Sequence, residues 1–148
     1  MTGHKVIMIV DDDSDDRLLF SEAVEEMNSS YSCIEAKNGV DALTILNKVT
    51  KLPDFIFLDL NMPLMNGKEC LIELKNKVRL KNIPVIIYST SKYKGDLDET
   101  KILGAVYYLV KPNDIAVLPR EISKALQFAG LNKVITFDSL NSDISEKY

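Results

Sequence analysis

Four short, uninterrupted apolar runs, at residues 6–10, 55–58, 85–88 and 106–110, constrain this chain more than anything else in it. They are rich in β-branched and aromatic residues, which suits parallel strands buried on both faces. A weaker run at residues 31–36 ends before Lys37-Asn38-Gly39, whose Asn-Gly pair suits a turn. It reads as a fifth strand nearer an edge. Between the runs, apolar residues recur at helical spacing: Leu18, Leu19, Ala23, Val24 and Met27; then Ala42, Leu43, Leu46 and Val49; then Cys70, Leu71, Leu74 and Val78. Ser14 is the expected cap of the first helix, with Asp15 and Asp16 on its positive end, and Asp41 the expected cap of the second. A fourth helix is expected over residues 95–103, stopped by Gly104. A last one ends near Phe128, with Pro119 either in its first turn or at a kink. Strands alternating with helices over short connections imply right-handed crossovers, hence an α/β doubly wound parallel sheet covered on both sides.

At 148 residues the chain fits one domain able to bury a core without disulfides or a structural metal. Residues 131–148 are too short and polar for a second domain and read as a C-terminal tail. The net charge of −4, with basic residues spread along the chain, leaves no electrostatic footprint for direct nucleic-acid binding. Cys33 and Cys70 lie far apart in apolar segments without metal-ligand spacing, as expected of reduced thiols in a cytoplasmic protein. The first apolar run begins after five residues, and none is long enough for membrane insertion.

In an open α/β sheet, chemistry gathers where strands end at the carboxyl edge. The residues just after the runs are Asp11-Asp12-Asp13, Asp59-Leu60-Asn61-Met62-Pro63, Ser89-Thr90-Ser91 and Lys111-Pro112. Asp11, Asp12 and Asp59 in one crevice repel one another and cost several kcal/mol in desolvation unless a cation or protons compensate. All-oxygen ligands without His or Cys suit a hard ion, Mg²⁺ above all. Lys111 adds a mobile charge and Ser89 a hydroxyl. A carboxylate nucleophile, Mg²⁺, a Lys and a hydroxyl are the parts that receiving a phosphoryl group requires. Asp59, alone at the end of the most central strand, is the expected acceptor.

On these residues the chain resembles the response-regulator receiver domains of two-component signalling. The motifs are Ile9-Val10-Asp11-Asp12, Leu58 to Pro63 with Asn66-Gly67, Pro84 leading to Ser89, and Lys111-Pro112. The intervals from Asp59 to Ser89 and from Ser89 to Lys111 are those usual in the family. The resemblance implies a flavodoxin-like sheet of order 2-1-3-4-5 with a receiver domain over residues 1–130. It implies Asp59 as phospho-acceptor, Asp12 as direct Mg²⁺ ligand, Asp11 as ligand through water, and Asn61 offering its backbone carbonyl. Ser89 takes the place of the switch hydroxyl and Tyr108 that of the switch aromatic, with Tyr107 on the opposite side of the strand. A cis Lys111-Pro112 bond comes with the family.

Three details refine the match. Asp11-Asp12-Asp13 leaves the register open by one, and the preceding Val10 favours Asp11 and Asp12. Thr90 stands where many members have a smaller residue. Asn61 and Ser91 fill the two positions that tune hydrolysis, and neither is an acid or an amine. Asp13, Asp15 and Asp16 read as a solvated helix start, and Asn66-Gly67 as a turn, with Gly tolerating positive φ.

The expected function is that of a stand-alone response regulator. It takes its phosphoryl group from a histidine kinase or His-containing phosphotransfer protein and signals to a downstream protein by contact or onward transfer. A magnesium-dependent phosphohydrolase is the competing class, but such enzymes place a second acid two residues past the nucleophile, where Asn61 stands. A degenerate docking module is disfavoured because acids, hydroxyl and Lys are all present. Alternation of Val134, Thr136 and Asp138 with Ile135, Phe137 and Ser139 suggests a tail strand, and through it a homodimer.

Overall fold

A computed structural model describes residues 3–28 and 30–131. The strands are β1 (Lys5–Val10), β2 (Tyr31–Ala36), β3 (Phe55–Leu58), β4 (Val85–Ser89) and β5 (Tyr107–Val110). The helices are α1 (Ser14–Met27), α2 (Gly39–Lys48), α3 (Gly67–Asn76), α4 (Lys94–Ile102) and α5 (Leu118–Leu131), with a single 3-10 turn at Ile115–Val117. All four strand pairs are parallel, in the order β2-β1-β3-β4-β5. The expected doubly wound sheet is therefore present, with β2 at one edge. The expected tail strand, and the dimer contact through it, lie outside the described residues.

The two-residue period of a strand sends alternate side chains to opposite faces. Met8, Val10, Ile56, Leu58, Val85, Ile87 and Tyr108 join a core with Ala42 and Leu46 of α2 and Cys70, Leu71 and Leu74 of α3. On the other face Ile7, Ile9, Phe57, Ile86, Tyr88, Tyr107 and Leu109 pack on α1 and α5. Tyr107 and Tyr108 thus face opposite ways, as alternation requires.

Helix faces depart from the sequence reading in two places. In α1 the buried side is Phe20, Ala23 and Val24, whereas Leu18 and Leu19 are exposed. Phe20 shares its face with residues three and four further on, and its ring packs on Phe57 and Tyr88 at 4.8 and 5.4 Å. Burying Phe20 contributes about 1.5–3 kcal/mol, and Ala23 and Val24 add to the same face, whereas Leu18 and Leu19 fall outside that stripe. Val78 lies beyond the end of α3 and is exposed, so it is not part of that helix's apolar stripe.

The helix starts also differ by a few residues. Asp13, not Ser14, caps α1, accepting from the N–H groups of Asp15 and Asp16. Asn38, not Asp41, caps α2 by accepting from Asp41 N–H, and the Asp41 carboxylate turns back to Lys37 N–H. In each case the earlier side chain wins because an Asn or Asp oxygen one residue before the first helical residue reaches the free N–H groups directly. Asn66 and Glu69 form a reciprocal capping box on α3. Pro119 occupies the first turn of α5, where its missing N–H costs nothing.

Candidate functional site

Backbone hydrogen bonds that continue the sheet past its strands gather the site. Asp11 N–H donates to Ala36 O (3.1 Å), Asp59 N–H to Val10 O (3.0 Å) and Lys111 N–H to Ser89 O (2.8 Å). With the parallel pairing of β3 and β4 between them, these bonds set the ends of β1, β3, β4 and β5 side by side at the carboxyl edge. Asp11 and Ser89 are fully buried, Asp59 is 6% exposed and Asp12 is open to solvent.

One carboxylate oxygen from each of Asp11, Asp12 and Asp59 lies within 4.8 Å of the others. Burial pushes the Asp59 carboxyl up to about 6, with Lys111 pulling down and Asp11 pushing up, and burial likewise raises Asp11. These acids are unhappy as a bare trio of anions, as a hard-cation site should be. Asp59 Oδ1 accepts from Leu60 N–H at 2.9 Å, which leaves Oδ2 facing the pocket.

Lys111 supplies the positive charge. Its Nζ donates to Asp11 Oδ2 at 2.7 Å and Asp16 Oδ2 at 2.9 Å, and stands 3.8 Å from Asp59 Oδ2. It also lies 5.3 Å from the centre of the buried Tyr88 ring, within cation–π range. Burial works to lower the Lys111 pKa, but the bonds to Asp11 and Asp16 and the charge of Asp59 outweigh it and hold the ammonium protonated.

Sequence reasoning missed Asp16, which it assigned to a solvated helix start. The signal was present: Asp16 is the third residue after the Asp13 cap, the place from which a side chain reaches back toward the residues preceding a helix. It also missed Arg17, whose guanidinium donates to Asp11 O at 2.8 Å and pairs with Glu35 at 3.0 Å.

Gly67 serves the site differently from the expected turn. It has no positive φ; instead, a Cβ there would overlap the Asp59 carbonyl oxygen and come 2.7 Å from Leu60 Cα. Its N–H donates to Leu60 O at 2.9 Å, so helix α3 starts directly under the exit of β3. The positive φ in this loop is at Leu64, at 66°.

Ser89 is buried with its hydroxyl accepting from Ser91 N–H at 3.2 Å. Tyr108 is buried, and its hydroxyl donates to Ser91 O at 2.9 Å. Ser91 in turn donates its hydroxyl to Asp96 Oδ2 at 2.6 Å, and Lys68 of α3 bridges Asp96 and Glu99 at 2.7 and 2.8 Å. Ser91 is thus turned to α4. Asn61 and Thr90 are exposed beside the pocket. The described residues contain no cis peptide bond, so Lys111-Pro112 departs from the family's cis form; the isomers before proline differ by only about 0.5–1 kcal/mol, small enough for local packing to choose.

No described helix is long and apolar enough to cross a membrane. The profile of the response regulator receiver domain family matches residues 7–123. Sporulation initiation phosphotransferase F of Bacillus subtilis is 36% identical over 81% of this chain and 92% of its own length. The sensor histidine kinase CheAY of Helicobacter pylori is 26% identical over 84% of this chain, which spans only 15% of that protein. Among solved structures, the phosphorylated cyanobacterial phytochrome response regulator RcpA is 29% identical with a TM-score of 0.79, over 90% of this chain and 98% of that one. The Mn²⁺-bound form of response regulator Rcp1 is 28% identical with a TM-score of 0.73, over 89% and 98%. With its sheet order, its carboxyl-edge acids and a family profile covering most of its length, the chain belongs to the response regulator receiver domains of two-component signalling.

Proposed function

We propose that the chain is a phosphorylation switch that accepts a phosphoryl group on Asp59, in the presence of Mg²⁺, from a histidine kinase or His-containing phosphotransfer protein. The observation that carries this is the Asp59 carboxylate itself: buried at the end of a central strand, with Oδ2 toward the pocket, two further acids within 4.8 Å and an ammonium at 3.8 Å. The oxygen-only donor set and the raised Asp59 and Asp11 carboxyls fit a hard divalent ion. Asp11, Asp12, Asp59 and the Asn61 carbonyl would hold it. When bound, Mg²⁺ supplies neutralisation of the acids and of the phosphoryl oxygens.

Asp59 Oδ2 forms the new bond to phosphorus as the donor's P–N bond to histidine breaks, and the imidazole leaves with the electron pair and takes up a proton. Lys111 offers its ammonium to a phosphoryl oxygen. Ser89 supplies a hydroxyl at the adjoining strand end, and Tyr108 reads its state through the Ser91 carbonyl. Asn61 is an amide and provides no acid for turnover. Output then passes by contact with a downstream protein or by onward transfer to another histidine.

The test is intact mass after incubation with a small acyl phosphate and Mg²⁺. The native chain gains one phosphate and Asp59→Asn gains none. An adduct that persists in Asp59→Asn, or forms equally in EDTA, would overturn the reading.

A further inference from the structure

We propose that Asp16 is a positioning residue: it holds the Lys111 ammonium on the Asp11 side of the pocket and so keeps Asp59 Oδ2 open to a metal ion and to phosphorus. This rests on the phospho-acceptor reading of Asp59. An ammonium has three N–H donors. One reaches Asp11 at 2.7 Å and one Asp16 at 2.9 Å, while Asp59 Oδ2 stands at 3.8 Å, beyond hydrogen-bond reach. Asp59 Oδ1 is already taken by Leu60 N–H. A shift of about 1 Å would let Lys111 close on Oδ2 and compete there with a metal ion or with phosphorus.

The geometry of α1 makes Asp16 an effective tether. Asp13 supplies the cap, including the N–H of Asp16 itself, so the Asp16 carboxylate is free for Lys111. Arg17 ties the same turn to Asp11 O and to Glu35, fixing the distance between α1 and the strand ends. The Asp16 side chain is 34% exposed and that of Asp11 only 1%, so water can share Asp16 and let Lys111 leave it when a phosphoryl oxygen arrives. Without Asp16, the anions left around Lys111 are Asp11 and Asp59, and the ammonium bridges them.

The experiment compares the full chain with Asp16→Asn, Asp16→Glu, Lys111→Met and the Asp16→Asn/Lys111→Met double variant. Mg²⁺ affinity is read by titration calorimetry, and adduct formation with acetyl phosphate by intact mass. Asp16→Asn is expected to weaken Mg²⁺ binding about fivefold and to slow adduct formation at subsaturating Mg²⁺, as a lost ion-pair interaction of ordinary size would. Asp16→Glu restores both to within about twofold, and in the Lys111→Met background Asp16→Asn changes Mg²⁺ affinity less than about twofold, since its effect runs through the ammonium. A loss that persists undiminished without Lys111 would show Asp16 acting by its own charge and would overturn the proposal, as would an Asp16→Asn variant indistinguishable from native. Absence of any adduct on the native chain sinks the phospho-acceptor reading and this one with it; an adduct with an additive cycle sinks this one alone.

Discussion

Asp59 ends β3 and Asp96 opens α4, both at the carboxyl edge of the sheet, yet their surroundings act on them in opposite senses. Burial raises the Asp59 carboxyl to about 6, and the partial relief from Lys111 does not restore it. At Asp96 burial also pushes up, but hydrogen bonds from Lys68 and Ser91 outweigh it and hold the carboxyl below its usual range. The difference is one of completion. Around Asp96 every polar group has its partner, in the path Lys68, Asp96, Ser91, Tyr108. Around Asp59 one ammonium is shared by Asp11, Asp16 and Asp59, and the Asp59 carboxyl stays raised.

The largest effect that would sharpen this contrast comes from Lys111. Replacing it with Met leaves Asp11 and Asp59 buried without a counter-charge, and should lower unfolding free energy by about 3 kcal/mol in EDTA at neutral pH. Urea unfolding checks it; a loss under 1 kcal/mol would mean that the pocket is far better solvated than its burial indicates. Next is pH. Asp59 in the folded chain binds its proton more tightly than in the unfolded chain, so its contribution to stability is full below pH 3.8 and is lost as pH rises through about 6. Between pH 4 and 7, without metal, native protein should lose on the order of 2 kcal/mol more than Asp59→Asn does. Saturating Mg²⁺ should flatten that difference. Asp96 has the opposite sign, its contribution being present at neutral pH and lost only as pH falls through its lowered pKa.

Smaller effects probe the completed side. Lys68→Met should cost about 1 kcal/mol at low salt and less at high salt, because its ion pairs are partly exposed. Its Mg²⁺ affinity should match that of native protein, and a marked change would show that the two regions are not independent. The smallest concerns Leu64, 83% exposed with φ of 66° beside the pocket. Leu64→Asn should stabilise by about 0.5–1 kcal/mol, since Asn tolerates the left-handed region and no buried surface is lost. A destabilised variant would reveal packing that the leucine's exposure does not suggest.

How much of this could be read beforehand depended on the range of the interaction. The apolar runs became strands because a chain segment buried on both faces must be apolar throughout, a property of the segment alone. The face of α1 was not readable in the same way: Leu18, Leu19 and Phe20 are all apolar, and only Phe57 and Tyr88 waiting on the sheet select Phe20. The caps went to Asp13 and Asn38 because acceptors one to three residues apart compete, and backbone direction decides between them. Gly67 looked like a turn glycine, whereas the requirement is set by the Asp59 carbonyl packed against it.

The sequence by itself determined the sheet order's ingredients and the acids, hydroxyl and lysine at its strand ends, because strand burial and side-chain chemistry are local. Only the tertiary structure decided which anions hold Lys111. Asp16 and Lys111 are far apart in the chain, and their 2.9 Å bond exists because α1 leaves β1 and turns its first acid-bearing turn back over the end of β5. Coulomb attraction reads distance in space, and that distance is fixed by packing rather than by position along the chain.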